Sequence, residues 1–136
     1  MSIEETRRVI EGYFTGHGGN WFSEEVEFHD MSQPQARRGR AEVEAWLHTF
    51  YQDAFADARA EAARLVIGDG IAAADWVFQG RHVGSLAGES PSGRVVELPM
   101  AALYEVRDGE IVRARLYYDS ATLLRQLQPN AMARPV

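Results

Sequence analysis

The feature that most constrains the fold is a long run of strand-like sequence from Arg59 to Tyr118. Two hairpin signals divide it, Gly-Asp-Gly at residues 68–70 and Asp-Gly at residues 108–109, because tight turns between antiparallel strands need residues that tolerate positive φ angles. A longer, glycine-containing connection covers residues 84–93. The run therefore predicts four long antiparallel strands.

The remaining segments predict helices that can cover such a sheet. Ser2 begins a capping box, and apolar spacing continues the first helix to about Phe14. A wide apolar stripe predicts a second helix over residues 41–55, and a third begins near Ser120. Residues 25–30 alternate as a short strand. Helices on one face of an antiparallel sheet make an α+β architecture.

Length and composition fit one domain, 1–136, with residues 129–136 as a flexible tail. The net charge is −6 and the basic residues are scattered, so we expect no nucleic-acid partner, because phosphate binding needs clustered Lys and Arg. Cysteine is absent and the histidines show no paired spacing, so we expect no metal site. No signal peptide or long apolar run is visible, which predicts a cytoplasmic protein without a membrane partner.

Side-chain alternation sorts the strand residues between the two faces of the sheet. Trp76, Phe78 and His82 share one face of their strand, and the aromatic rings favour that face as the interior. The opposite face carries Ile71 and Tyr117, an apolar pair that is typical of an interface. The other side chains predicted to line an interior pocket are Phe28, Trp46, Phe50, Met100, Tyr104, Leu116 and Tyr118.

Two blocks carry a family resemblance. Gly-Arg-His-Val-Gly at residues 80–84 precedes a long turn, and Asp-Gly-Glu-Ile at residues 108–111 opens the last strand. Together they resemble the second half of a SnoaL-like polyketide cyclase, from the cone-shaped α+β superfamily that includes nuclear transport factor 2 and ketosteroid isomerase. The resemblance runs from about Thr6 to Leu127.

The resemblance implies a curved sheet that wraps the N-terminal helices around an apolar pocket. It also implies a cofactor-independent enzyme that removes a proton next to a carbonyl and so cyclises or isomerises a small apolar molecule, polyketide- or terpenoid-like. Members of the family commonly dimerise through the outer sheet face, so we expect a homodimer or a higher homo-oligomer.

One catalytic position departs from the family pattern. Polyketide cyclases place an aspartate directly after the arginine of the last strand, where this chain has Leu116. Asp30 is the alternative acid, because ketosteroid isomerases have their base aspartate at this place, nine residues before the glycine that corresponds to Gly39. A carboxylate at the rim of an apolar pocket can serve as a general base. The competing interpretation is an aspartate that braces the loop after its strand.

His82 is the second catalytic candidate, since its place in Gly-Arg-His-x-Gly matches the cyclases and an imidazole can donate a hydrogen bond to a substrate oxygen. Tyr104 or Tyr118 could assist it, although buried tyrosines are more often core aromatics. Asp119 is predicted to cap the last helix and His48 to lie at the edge of a helix stripe.

Two further hypotheses remain open at this stage. Leu116, in place of the family's acid, favours a non-catalytic protein that binds a hydrophobic ligand in the same pocket. Alternatively, the chain is a structural dimer whose functional surface is the outer sheet face.

Overall fold

The computed structural model describes residues 2–16 and 19–128; the prediction for the tail 129–136 falls outside this part of the chain. The helices are α1 (Ile3–Gly16), α2 (Arg40–His48) and α3 (Ser120–Leu127). The strands are β1 (Phe22–Asp30), β2 (Arg37–Arg38), β3 (Phe55–Ile67), β4 (Ile71–His82), β5 (Val95–Arg107) and β6 (Glu110–Tyr118). A 3-10 turn, Gly19–Trp21, precedes β1, and a π-helical turn, Thr49–Ala54, follows α2.

The six strands form one mixed sheet in the order β2-β1-β6-β5-β4-β3. β1 and β6 run parallel, and all other neighbours are antiparallel. The predicted hairpins between β3 and β4 and between β5 and β6 are confirmed: Gly70, Asp108 and Gly109 have φ angles of 78°, 51° and 76°. The predicted α+β class is confirmed, and so are the four long antiparallel strands.

The sheet buries one face, as the alternation predicts. Every second residue of β4 from Ala72 to His82 is buried, while its neighbours are half-buried or exposed. α1 and the α2 segment cover this inner face, with Phe14 of α1 5.3 Å from the ring of Trp76 and Phe50 5.1 Å from Phe78. The inner face is therefore an aromatic core, and the outer face is open around Val66, which is 71% exposed.

The predicted second helix is wrong at its C-terminal end. The α-helix ends at His48, a π-helical turn follows, and Phe55 already belongs to β3, where it pairs with His82. The carbonyl of Ala54 accepts hydrogen bonds from the backbone N–H groups of residues 83 and 84, 2.9 and 3.1 Å away, so the chain after β4 competes for the helix's last carbonyls. An added Cβ on Gly84 would overlap the backbone oxygen of Asp53. This close approach explains the second glycine of Gly-Arg-His-x-Gly.

Three smaller boundaries also differ from the sequence prediction. Residues 31–39 contain the two-residue strand β2 rather than loop alone, β1 begins at Phe22 rather than at Glu25, and β3 begins at Phe55 rather than at Arg59. Among the described residues, no helix is long and apolar enough to cross a membrane.

Candidate functional site

Asp30 lies at the last position of β1 and forms a cluster with Ser32 and Tyr118. Its Oδ1 accepts hydrogen bonds from the backbone N–H of Ser32 at 2.9 Å and from the Ser32 hydroxyl at 2.7 Å. Its Oδ2 accepts from the Tyr118 hydroxyl at 2.7 Å. The Asp30 side chain is buried, at 7% relative exposure, and no cation within the described ranges forms an ion pair with it. A buried carboxylate held by neutral donors alone is unusual in a purely structural position.

The cluster has room for one more proton. The Ser32 and Tyr118 hydroxyl oxygens also lie 3.0 Å apart, so the three groups share three oxygen–oxygen contacts. The two hydroxyl protons are used in the bonds to Asp30, so the contact between Ser32 and Tyr118 has no proton of its own. A carboxylate has about four lone-pair positions, of which three are used here, so one position on Oδ2 is left to accept a proton from another molecule.

The sheet register places Asp30 beside Leu116, the position at which the resemblance predicts an acid. In the parallel pair of β1 and β6, Asp30 is the direct neighbour of Leu116, and the backbone N–H of Met31 donates to the Leu116 carbonyl at 2.8 Å. After this bond the chain turns, with the Gln33 N–H donating to the Asp30 carbonyl at 2.9 Å. One oxygen of Asp30, Oδ1, therefore braces the following loop through its hydrogen bonds with Ser32, as the competing interpretation predicts. The other oxygen, Oδ2, instead accepts a hydrogen bond from Tyr118.

Tyr118 is half-buried, and its environment keeps the phenol protonated. Burial is the main cause that raises the pKa of Tyr118. The hydrogen bond with Ser32 lowers the pKa of Tyr118, whereas the hydrogen bond to Asp30 and the negative charge of Asp30 raise it further. Tyr118 therefore donates a hydrogen bond to Asp30 throughout the neutral pH range. Its hydroxyl proton is used in this bond.

Aromatic rings continue from Asp30 into the interior. Phe28, two residues earlier on β1, has its ring centroid 5.2 Å from that of Trp46, and Trp46 stacks on Phe50 at 5.9 Å. Met100 is the register partner of both Trp76 and Tyr118, which joins the cluster to the aromatic core across the sheet.

A groove of about 570 Å³ opens at the same end of the sheet. Its lining consists mainly of outer-face and rim residues, Asp75, Pro99, Ala101, Tyr117 and Asp119, together with Met31, Met100 and Tyr118. The groove therefore opens toward the outer face of the sheet, and Tyr118 is the residue that it shares with the Asp30 cluster.

His82 lies at the end of β4 and is fully buried, at 0% relative exposure. Its Nδ1 is 3.1 Å from the backbone nitrogen of Ser92, whose N–H donates to it, and 3.0 Å from the Ser92 hydroxyl. That hydroxyl oxygen accepts from the Arg94 N–H at 3.2 Å, so its own proton is free to point at Nδ1. Nδ1 is an acceptor in this geometry, which places the proton of the neutral ring on Nε2. Nε2 is buried and has no hydrogen-bond partner within residues 2–16 and 19–128.

The two catalytic candidates share a face of the sheet but not a position along it. The row of register partners that contains Asp30 crosses β4 at Ala74, eight residues before His82. At about 3.3 Å per residue this is roughly 26 Å measured along the strand. The ring of His82 packs against Phe55, 5.9 Å between centroids, and no hydrogen bond in the described part of the chain joins it to Asp30. The structure therefore separates the two residues.

The other candidates have structural surroundings. Tyr104 is buried in the core beside Tyr13, 5.9 Å between ring centroids, and burial raises its pKa well above the usual tyrosine value. Asp119 caps α3 as predicted, with Oδ1 accepting from the N–H of Ala121 at 3.0 Å. His48 is exposed, and its Nδ1 lies 3.5 Å from Oδ2 of Asp53.

Within the described ranges, no three His, Asp or Glu side chains are grouped so that they could hold a metal ion.

Sequence reasoning missed two serines that complete these arrangements. Ser32 follows Asp30 by two residues, a spacing at which an aspartate commonly binds the backbone of its own turn, and this signal was available in the sequence. Ser92 lies in the long connection between β4 and β5, ten residues after His82, and no local pattern marks it as the partner of that ring.

Comparison with known proteins identifies the family. A profile described as SnoaL-like polyketide cyclase matches residues 15–127. No curated protein matches the chain.

Solved structures agree with this match. A candidate polyketide cyclase from Xanthomonas campestris pv. campestris superposes with a TM-score of 0.82 at 19% identity, over 92% of this chain and 98% of that one. A candidate SnoaL-like polyketide cyclase from Jannaschia sp. CCS1 gives 0.83 at 16% identity, over 97% and 94%. IdmH, a candidate polyketide cyclase from Streptomyces antibioticus, gives 0.68 at 26% identity, over 90% and 97%. The fold is thus the cone-like one shared with nuclear transport factor 2, and the chain belongs to the SnoaL-like polyketide cyclase family.

Proposed function

We propose that this protein is a cofactor-independent enzyme in which Asp30 removes a proton next to a carbonyl of an apolar substrate, leading to cyclisation or isomerisation. The observation that carries the proposal is the Asp30 cluster: a buried carboxylate that forms no ion pair within residues 2–16 and 19–128 and whose Oδ2 keeps one unused lone-pair position. Membership of the cyclase family supports the same reaction class.

Asp30 offers an answer to the loss of the family's acid at position 116. Asp30 and Leu116 are direct neighbours in the β1–β6 pair, so their side chains point to the same face one strand apart. A substrate carbon that would meet an acid at position 116 is therefore within about one strand spacing, roughly 4.8 Å, of a carboxylate on β1. We propose that the acid has moved by one strand in this chain.

The proposed steps conserve protons. Asp30 Oδ2 takes a proton from the carbon next to the carbonyl, and the bonding pair left behind forms an enolate whose negative charge lies on oxygen. The hydroxyls of Ser32 and Tyr118 keep their hydrogen bonds to Oδ1 and Oδ2, because the new proton occupies the unused position on Oδ2. The enolate carbon then attacks a second carbonyl or is reprotonated at another carbon, and the proton on Asp30 returns to the product.

His82 enters this proposal as a separate hydrogen-bond donor. Its Nε2–H has no partner in the described part of the chain, so a substrate oxygen that reaches the far end of the interior would satisfy it. The apolar walls would be Phe28, Trp46, Phe50, Trp76, Phe78, Met100 and Leu116.

Non-catalytic binding of a hydrophobic ligand is the second candidate function. Leu116 favours it, because this position is buried and apolar where the family has its acid. The two functions differ in whether a bound ketone loses a proton.

Proton exchange decides between them without knowledge of the natural substrate. In D2O, 2-tetralone incorporates deuterium next to its carbonyl, and proton NMR follows the rate. We expect the protein to accelerate this exchange and Asp30→Asn to abolish the acceleration while calorimetry shows that 2-tetralone still binds. Binding without exchange by the unmodified protein would favour the ligand-binding function, and full exchange by Asp30→Asn would remove Asp30 from the mechanism.

For the assembly, we propose a homodimer, or a higher homo-oligomer, through the outer sheet face. Ile71, Leu103 and Tyr117 on this face are 54%, 44% and 40% exposed. Burial of such an apolar face is a common reason for association. Light scattering after gel filtration would give about twice the mass of one chain, and Leu103→Glu would return it to that of a monomer.

A further inference from the structure

We infer that Arg37 binds an anionic group of the substrate, a carboxylate, beside the Asp30 site. The inference rests on the proposed function for placing the substrate on the inner face of the sheet. It adds the class of substrate: an apolar ketone that also carries a carboxylate.

The two residues of β2 point to opposite faces of the sheet. Arg37 is the register partner of Phe28, and Arg38 is the partner of Glu27. Directly opposite residues of antiparallel strands share a face, and Phe28 is buried on the inner face at 3% exposure. Arg37 is therefore on the inner side. Arg38 is on the outer side, where its guanidinium forms an ion pair with Glu27 at 2.8 Å.

Arg37 has an aromatic neighbour where Arg38 has a carboxylate. Its guanidinium carbon lies 5.5 Å from the ring centroid of Trp46, within the range of a cation–π contact. The residue is half-buried, and within residues 2–16 and 19–128 no carboxylate lies within ion-pair distance of it. A contact of this kind does not use up the N–H groups of a guanidinium, which remain for a planar partner.

A carboxylate is the group that best completes this arrangement. Its two oxygens match two parallel N–H groups of a guanidinium, and such pairs are stronger and more directional than neutral hydrogen bonds. The protein as a whole carries a net charge of −6, which disfavours anions, so an anion needs a local cation.

The distance between Arg37 and Asp30 suits one small molecule. Arg37 is opposite Phe28, and Asp30 is two residues further along β1. Two residues of rise and one strand spacing separate the two Cα atoms by roughly 8 Å. A bicyclic acid spans such a gap: its carboxylate at Arg37 leaves a ring carbon near Asp30 Oδ2 and keeps the two negative groups apart.

A pair of naphthalene probes tests the inference by calorimetry. 2-Naphthoate carries the carboxylate, and 2-acetonaphthone has the same rings with a neutral ketone. We expect Arg37→Gln to weaken 2-naphthoate binding by about tenfold or more, as expected for the loss of a charged hydrogen-bond pair, and to leave 2-acetonaphthone binding unchanged. Arg38→Gln is the matched control, because it removes the same charge one residue away on the outer face. It should bind both probes like the unmodified protein.

Arg37→Met keeps an unbranched side chain over Trp46 and serves if Arg37→Gln does not fold. It should show the same selective loss. Undiminished 2-naphthoate binding by a folded Arg37 variant would overturn the inference, as would equal weakening by Arg38→Gln or no measurable 2-naphthoate binding by the unmodified protein. Asp30→Asn should retain 2-naphthoate binding, so a failure of the anion site and a failure of the proposed proton transfer are read from different experiments.

Discussion

The inner face of the sheet holds two buried ionisable groups whose surroundings are opposite in kind. Asp30 lies at the last position of β1, and three hydrogen bonds from Ser32 and Tyr118 reach its two oxygens. His82 is fully buried, with one nitrogen held by the Ser92 loop and the other without a partner in the described residues. Asp30 keeps one unused acceptor position, on Oδ2, whereas Nδ1 of His82 already accepts a hydrogen bond from the backbone of Ser92.

The comparison teaches that a shared face does not make a shared site. Strand alternation assigns both groups to the interior, yet the register separates their rows by eight residues of β4. Their hydrogen-bond patterns suit different tasks: proton transfer at Asp30 and fixed donation from Nε2 at His82.

The largest effect is expected when a second acidic side chain is placed beside Asp30. Leu116→Asp would place a carboxylate beside Asp30 in a position that is 5% exposed. Burying a second unpaired negative charge should lower the free energy of unfolding by about 3 kcal/mol or more at pH 8. At pH 5 the loss should be smaller, because the new group can fold in its neutral form as the pH falls.

Leu116→Asn has nearly the same shape without the charge and serves as the control. Urea denaturation at both pH values should give it the same loss of stability at each. If the loss of stability of Leu116→Asp does not depend on pH, the cost does not come from burying a negative charge at this position.

A smaller effect is expected at Gly84, two residues after His82, where the backbone passes close to that of Asp53. A Cβ at position 84 would overlap the carbonyl oxygen of Asp53, which is backbone and cannot rotate away. Gly84→Ala should therefore lower the free energy of unfolding by about 1–3 kcal/mol, as for other overpacked sites. Gly16→Ala is the control, since no atom of the described residues lies within 4 Å of its added Cβ. Thermal denaturation of the two variants would measure the difference, and equal midpoints would refute the close packing.

Local patterns were sufficient to predict most of the fold. Turn residues at positive φ located the hairpins, and alternation identified the buried face of β4. The end of α2 could not be predicted, because helical spacing continues to residue 55 and the interruption comes from backbone contacts with residues 83 and 84, distant in sequence.

The candidate site was predictable in its residues but not in its geometry. Asp30 and Tyr118 could both be named from parity and resemblance, while their 2.7 Å hydrogen bond joins residues 88 positions apart. The neighbour relation of Asp30 and Leu116 depends on the parallel pairing of β1 with β6, which no local pattern in the sequence specifies. Long-range register is the information that the single sequence lacked.

Tyr118→Phe tests the coupling of the tyrosine to Asp30. Removal of one hydrogen bond should cost about 1 kcal/mol of stability and slow the proposed proton exchange. The pKa of Tyr118 is raised in the folded state, so its contribution to stability is complete below the unfolded value near pH 10 and is lost as the pH rises above it. The variant should therefore lose less stability than the unmodified protein between pH 10 and about 11.5, measured by urea denaturation. Parallel alkaline curves would contradict the assigned direction.

The smallest expected effect concerns the hydrogen bonds that Ser92 forms with the ring of His82. Ser92→Ala removes the hydroxyl that contacts Nδ1 but keeps the backbone N–H that donates to it at 3.1 Å. The free energy of unfolding should fall by about 1 kcal/mol, and 15N NMR should still show the proton of His82 on Nε2. Ser90→Ala, an exposed serine of the same connection, should change neither quantity. A proton on Nδ1 in the unmodified protein would mean that Ser92 accepts rather than donates, and Nε2 would then lose the donor role that distinguishes the His82 end from the Asp30 end.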